Sequence, residues 1–203
     1  MRNQAGDINI IPVDKESVVY YTLDGSTPTP KSNKFNGSFP TVGKVEVKAT
    51  AFDPTTKKSS PVSLEKFGIS RKNWKVLIST DLSTAKMLDG NPSTAWHQPR
   101  NSKLPVDLVI DLGQVETITG FRYLPDQGMW SPGIITQYEF YVSTDNSTWK
   151  LVSEGEFANI KNNPLWQTKS FSAEKVRYIK LRALRNTQNN NEIGYAELDV
   201  ITK

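Results

Sequence analysis

Residues 85–97 hold Lys86, Asp89, Asn91, Thr94 and His97 in one short run. Asp89-Gly90 makes a turn and Pro92 drives Asn91 out of the helical region, so the run reads as an irregular loop. Such a loop leaves backbone carbonyls without a ladder partner, and a carboxylate (Asp89) and a hydroxyl (Thr94) stand beside them. Carbonyl, carboxylate and hydroxyl oxygens are hard donors, of which Ca2+ takes about six to eight. The same residues would also make a plain polar turn capped by a core tryptophan, Trp96, and taken alone they leave both readings open. His97, the only histidine of the chain, ends the run.

The totals narrow what the rest of the molecule can do. The 203 residues contain no cysteine, which excludes disulfides, thiolate metal sites and cysteine nucleophiles. Residues 1–70 carry nine Lys/Arg against seven Asp/Glu, and residues 71–203 carry sixteen against fourteen. The signs are interspersed, and Lys57-Lys58 and Arg71-Lys72 are the only adjacent basic pairs. A nucleic-acid binder concentrates its positive charge, so no nucleic-acid partner is expected. Apolar runs are only a few residues long, and a membrane is not the expected partner. No Gly-x-Ser-x-Gly, His-Glu-x-x-His or glycine-rich phosphate loop occurs, and one histidine leaves few general bases. Carboxylate pairs could in principle hydrolyse glycosides, but turns, strand surfaces and the oxygen-rich loop account for the obvious ones. The expectation is that this is not an enzyme.

The elements that must position the loop read as strand and turn throughout, and no window shows a convincing helical period. In the first part, Val18-Val19-Tyr20-Tyr21-Thr22-Leu23 is β-branched and aromatic and closes on Asp24-Gly25. Residues 44–51 alternate cleanly, as a half-buried antiparallel strand does. Residues 1–7 read as a loose end, and residues 54–73 as a Ser/Lys/Thr-rich connection. The domain boundary is expected at Phe67-Gly68, giving units 1–67 and 68–203. In the second unit, strands are expected at 74–78, 106–113, 118–124, 138–144, 149–152, 176–183 and 195–201. Val106, Leu108, Ile110 and Leu112 would share the inner face. Strands separated by turns at this spacing predict an all-β chain with a jelly-roll-like sandwich in its second part.

Two resemblances sharpen this. Tyr20-Tyr21-Thr22-Leu23-Asp24-Gly25-Ser26-Thr27-Pro28, followed by the strand ending Ala49-Thr50-Ala51-Phe52, resembles the small Ig-like β-sandwich at the C-terminus of chitobiases and β-hexosaminidases. It covers about residues 8–67 and implies a spacer without chemistry of its own. Residues 70–203 resemble the coagulation-factor type C, or discoidin, domain, a galactose-binding-domain-like jelly-roll sandwich. More narrowly, they resemble the family 32 carbohydrate-binding modules of bacterial glycoside hydrolases. The residues that carry this are 89–97, Val109-Ile110-Asp111-Leu112-Gly113, 138–145 with Trp149, Arg177-Tyr178-Ile179-Lys180-Leu181, and Ala196-Glu197-Leu198-Asp199-Val200.

The second resemblance implies a structural Ca2+ held by the Lys86, Asn91 and Ala196 carbonyls, the Asp89 and Glu197 carboxylates, and Thr94 through carbonyl and hydroxyl. It also implies a glycan ligand, with His97 bonding a sugar hydroxyl. An apolar ring and fixed polar groups are what sugar recognition needs. Trp130 in the loop 124–133 is the stacking candidate, Tyr195 a second ring, and Asn190 in the loop 189–192 a source of amides. Galactose-binding relatives commonly carry arginine where Asp126 stands, so either Asp126 is a different hydroxyl partner, or the module does not bind galactose, or it binds no sugar at all. The chain is accordingly expected to be an accessory, non-catalytic region of a secreted, periplasmic or cell-surface glycoside hydrolase. It would be a monomer attached to a catalytic domain such as a chitobiase or fucosidase, and an excised piece of a longer chain, since residues 1–6 contain no signal segment. The alternative is an adhesion domain for protein or phospholipid surfaces, with Met129-Trp130 as its tip.

Overall fold

The alternating run of the first part becomes a central strand. In a computed structural model, which describes residues 2–78, 82–98, 103–129, 131 and 133–203, the chain divides into two compact units after Ser70. The first contains β1 (Asp7–Ile8), β2 (Val18–Thr22), β3 (Asn33–Lys34), β4 (Phe39–Pro40), β5 (Val45–Phe52) and β6 (Ser63–Phe67). They form an antiparallel sheet in the order β3-β2-β5-β6 and a separate β1-β4 ladder. Tyr20 pairs with Thr50 across β2 and β5, so Val19 and Val47 point inward and are buried. Tyr21 stacks on Phe39 at 4.4 Å and ties the sheet to the ladder. Asp24 is spent on its own turn, accepting from the Ser26 N–H and hydroxyl.

Two expectations for this unit are corrected. The first residues are not a loose end: Arg2 is buried, and its guanidinium donates to the carbonyls of Thr41, Gly43 and Gly68. Residues 63–67 are not connection but the edge strand β6, paired with β5 from Val45↔Phe67 to Ala49↔Ser63. Four of its five side chains are exposed, so it lacks the apolar alternation by which a strand is recognised.

The second unit is built on two long strands, β9 (Val106–Leu124) and β12 (Gln167–Asn186). Its other elements are β7 (Lys75–Val76), β8 (Trp96–His97), β10 (Ile135–Ser143), β11 (Lys150–Glu156), β13 (Gly194–Tyr195) and β14 (Glu197–Thr202). The main sheet runs β11-β10-β12-β9-β14 with β7 also on β9, while β8 and β13 pair separately. Sequence reading splits β9 in two and finds only the C-terminal half of β12. The register explains why, because irregularities interrupt both strands. The first half of β9 pairs with residues 178–183, and its second half pairs with residues 167–176. Each strand therefore serves first one layer of the sandwich and then the other.

The core lies between these layers. Phe121, from the second half of β9, stacks on Phe140 of β10 at 4.0 Å, with Tyr138 and Phe157 edge-on around it. Leu108, Ile110 and Leu112 are buried as their alternation requires. One short helical element escaped the strand-and-turn reading, a 3-10 turn at Leu82–Met87. Six residues are too few to show a helical period. Among the described residues, no helix is long and apolar enough to cross a membrane.

Candidate functional site

The 3-10 turn and the loop after it bring oxygens of Lys86, Asp89, Asn91 and Thr94 together. Gly90, at φ +76°, supplies the left-handed residue that lets the chain turn back after Asp89. Asp89 then accepts the Asn91 N–H at 2.7 Å on Oδ1 and the Thr94 hydroxyl at 2.9 Å on Oδ2. The same hydroxyl oxygen lies 2.9 Å from the Asn91 carbonyl and 3.3 Å from the Lys86 carbonyl. A hydroxyl has one proton, so only one of these three oxygens can receive it. The Asn91 carbonyl also accepts the Thr94 N–H at 3.1 Å.

Glu197 completes the cluster from the far end of the chain. It is 1 % exposed, and Arg71 holds its Oε2 at 2.6 Å. Its Oε1 is buried and faces no donor. The Asp89 carboxylate is near enough to act on it. Burial pushes the Glu197 carboxyl up to about 7, Arg71 opposes this, and the Asp89 carboxylate adds to it. Ala196 is buried beside it and gives its N–H to the Leu124 carbonyl. An orphaned carboxylate oxygen, a second carboxylate and converging carbonyl and hydroxyl oxygens fit a hard cation. Among the described residues no three His, Cys, Asp or Glu side chains converge. Any cation here would rest on two carboxylates plus carbonyl and hydroxyl oxygen.

Sequence reading missed Arg71, noting it only as half of a basic pair. It comes to Glu197 from just ahead of β7.

A second cluster sits beside the first. In β8 the alternation turns Trp96 inward and His97 outward, and β13 pairs with it as Gly194↔His97 and Tyr195↔Trp96. His97 Nε2 lies 3.1 Å from Asp126 Oδ2, and the Gly128 N–H donates to Asp126 Oδ1 at 3.0 Å. Two residues widely separated in sequence thus meet at one lip, with 39 % of the His97 side chain exposed. Donating Nε2–H to the carboxylate leaves Nδ1 as an acceptor in the neutral ring. Each Asp126 oxygen keeps a lone pair for a hydroxyl.

The backbone behind the lip is tightly built. Gly133, at φ +76°, passes so close to Glu192 that a Cβ would lie 2.5 Å from its carbonyl carbon. The Gly194 N–H donates to the Gly133 carbonyl, and the Gln98 N–H to the Ile193 carbonyl.

The remaining candidates divide. Tyr195 is corrected: at 0 % exposure it is a core ring, stacked on Trp96 and edge-on to Tyr123, and cannot meet a ligand. Its neighbours in β13 and β14 are buried on both faces, so alternation there does not mark an outward side. Asn190 is exposed but occupied within its own loop. Asn186 Nδ2 donates to its Oδ1 at 2.7 Å, and its Nδ2 reaches Gln188 and Glu192. Trp130 lies outside the described residues. Met129, beside it, is 90 % exposed.

Fold and site together define a β-sandwich module of the discoidin type, with its loops gathered at one end around an oxygen-lined clip and a polar lip. The chain belongs to the F5/8 type C domain family, whose model matches residues 68–198. An Fn3-associated model matches residues 8–67. Among curated proteins, a Micromonospora viridifaciens sialidase is 32 % identical over 125 residues, covering 59 % of this chain and 19 % of that protein. A Gibberella zeae galactose oxidase is 28 % identical over 141 residues, covering 65 % and 20 %. The chain thus spans about a fifth of the length of these relatives.

Among solved structures, the Clostridium perfringens module CpGH89CBM32-5, in complex with GalNAc-β-1,3-galactose, is 29 % identical with a TM-score of 0.56. The match covers 64 % of this chain and 96 % of that one. The family 32 module of C. perfringens NanJ, in complex with galactose, is 25 % identical with a TM-score of 0.54, covering 63 % and 93 %. The C-terminal domain of a Bacteroides fragilis chitobiase is 24 % identical with a TM-score of 0.56, covering 66 % and 97 %, and shares the fold.

Proposed function

We propose that the second unit binds glycans through the lip formed by His97 and Asp126, and that Ca2+ holds the adjoining loops in place. The observation that carries the reading is the meeting of His97 with Asp126 on the loop end of the module. Two of its relatives, the C. perfringens modules above, were solved with galactose-containing ligands. The imidazole Nδ1 and the Asp126 carboxylate offer two acceptors at fixed separation, which suits the O–H groups of adjacent sugar hydroxyls. The residues that would hold Ca2+ are Lys86, Asp89, Asn91, Thr94, Ala196 and Glu197. Bound there, the ion would supply the positive charge that Glu197 Oε1 lacks. It would stabilise the folded unit by mass action.

The chain would act as an accessory region of a secreted or cell-surface glycoside hydrolase, raising the effective concentration of glycan near a catalytic domain. The first unit would space the two. A glycan array probed with the chain, with and without a chelator, tests this. Retention on a defined set of glycans that weakens in chelator is expected, whereas an empty array beside strong binding to phospholipid vesicles would replace the reading with the adhesion alternative.

A further inference from the structure

The lip continues into a second, aromatic surface. Gln127, next to Asp126, donates its side-chain amide to the Pro125 carbonyl at 2.7 Å and to the Pro164 carbonyl at 2.8 Å. This links the lip loop to the loop that leads into β12. Two residues beyond Pro164 stands Trp166, 40 % exposed, beside Leu165 at 58 %. The Arg122 guanidinium lies 4.8 Å over the Trp166 ring and is itself held by Asp199 at 2.8 Å. Thr168, Arg122 and Asp199 stand in one row across β12, β9 and β14. With the guanidinium over its ring, the indole is held by Arg122 while a large part of the residue stays exposed.

We infer that the glycan site runs from His97 and Asp126 past Gln127 to Trp166, so that the ligand is an oligosaccharide rather than a single sugar. A pinned indole next to hydroxyl-bonding groups is what the apolar face of a pyranose ring stacks on. At about 3.8 Å per residue along the chain, Asp126 and Trp166 lie within roughly 20 Å of each other, a length that a few linked rings span. Arg122 matters because it orders the indole before the sugar arrives, which lowers the entropy lost on binding. The inference rests on the lip reading above and adds the length of the ligand and a second contact.

The test is calorimetric titration of the whole chain with one-, two- and four-residue oligomers of β-galactose, β-N-acetylglucosamine and β-mannose. In a series that binds, the tetramer should bind about ten-fold more tightly than the monomer. Trp166→Ala should remove most of that gain while leaving monomer affinity and the melting temperature as they were, and Trp166→Phe should restore most of it. If monomer and tetramer bind alike, or Trp166→Ala leaves the gain intact, the extended site is wrong and the lip stands alone. If no series binds to the unmodified chain, the lip reading fails and this inference falls with it.

Discussion

At the scale of single residues, the molecule concentrates its electrostatic tension on Glu197. A buried carboxyl raised to about 7 keeps a proton in the folded state that the unfolded chain, near 4.5, has already released. Between those values the folded state binds more protons, so stability falls as pH rises across that window. The shift corresponds to about 3 kcal/mol at its full extent. In chelator, urea unfolding at pH 5 and pH 8 should show the chain weaker at the higher pH. With Ca2+ in excess that difference should disappear, because the ion would hold both carboxyl groups ionised. Asp89→Ala should behave differently in each condition. With Ca2+ at about a hundred times its dissociation constant, it should cost up to roughly 2.7 kcal/mol of linkage. In chelator it should move the pH window downward, since a neighbouring negative charge is gone. Unfolding curves that ignore both metal and pH would remove the ion from the account.

At the scale of elements, the site depends on strands and turns that sequence reveals unevenly. The inner residues Leu108, Ile110 and Leu112 are legible because strict alternation reports a half-buried strand directly. The oxygen donors of the loop are legible because Asp-Gly and Asn-Pro punctuate the chain. The meeting of Asp89 with Glu197 was reachable only through the family resemblance, since pairing across a hundred residues has no local trace. Arg71 and Arg2 were missed for the same reason, as each acts on groups far along the chain. Tyr195 was misread because β13 is buried on both sides, and β6 because it is exposed. Asp126 and His97 each drew attention singly, while their contact is a product of the fold.

The close backbone passage at Gly133 gives a test of how far the lip depends on its support. Gly133→Ala places a methyl group against Glu192 at a φ that L residues rarely adopt. We expect a loss of about 1–3 kcal/mol and weakened glycan binding, read by thermal unfolding and titration. Phe121→Ala should cost about 3–5 kcal/mol, because it opens a cavity between the two layers. It should do so without selecting the lip.

At the scale of the whole molecule, the division after Ser70 leaves every proposed donor and ligand contact in the second unit. Residues 71–203 alone should therefore keep both the Ca2+-dependent stability and the glycan affinity of the whole chain. Loss of either on removing residues 1–70 would give the first unit a role in binding. The exposed apolar residues of the two units have different readings. Trp166 and Leu165 belong to a surface continuous with the lip, whereas Ile11 and Val13 lie in the first unit and take no part in it.

One histidine in 203 residues makes the central claim directly measurable. With the imidazole of His97 labelled, magnetic resonance gives a single ring signal that reports the lip and nothing else. Adding a glycan retained on the array should shift that signal in step with saturation, and Asp126→Ala should abolish both the shift and the retention while the fold survives. A glycan that saturates the chain with the His97 signal unmoved would contradict the account.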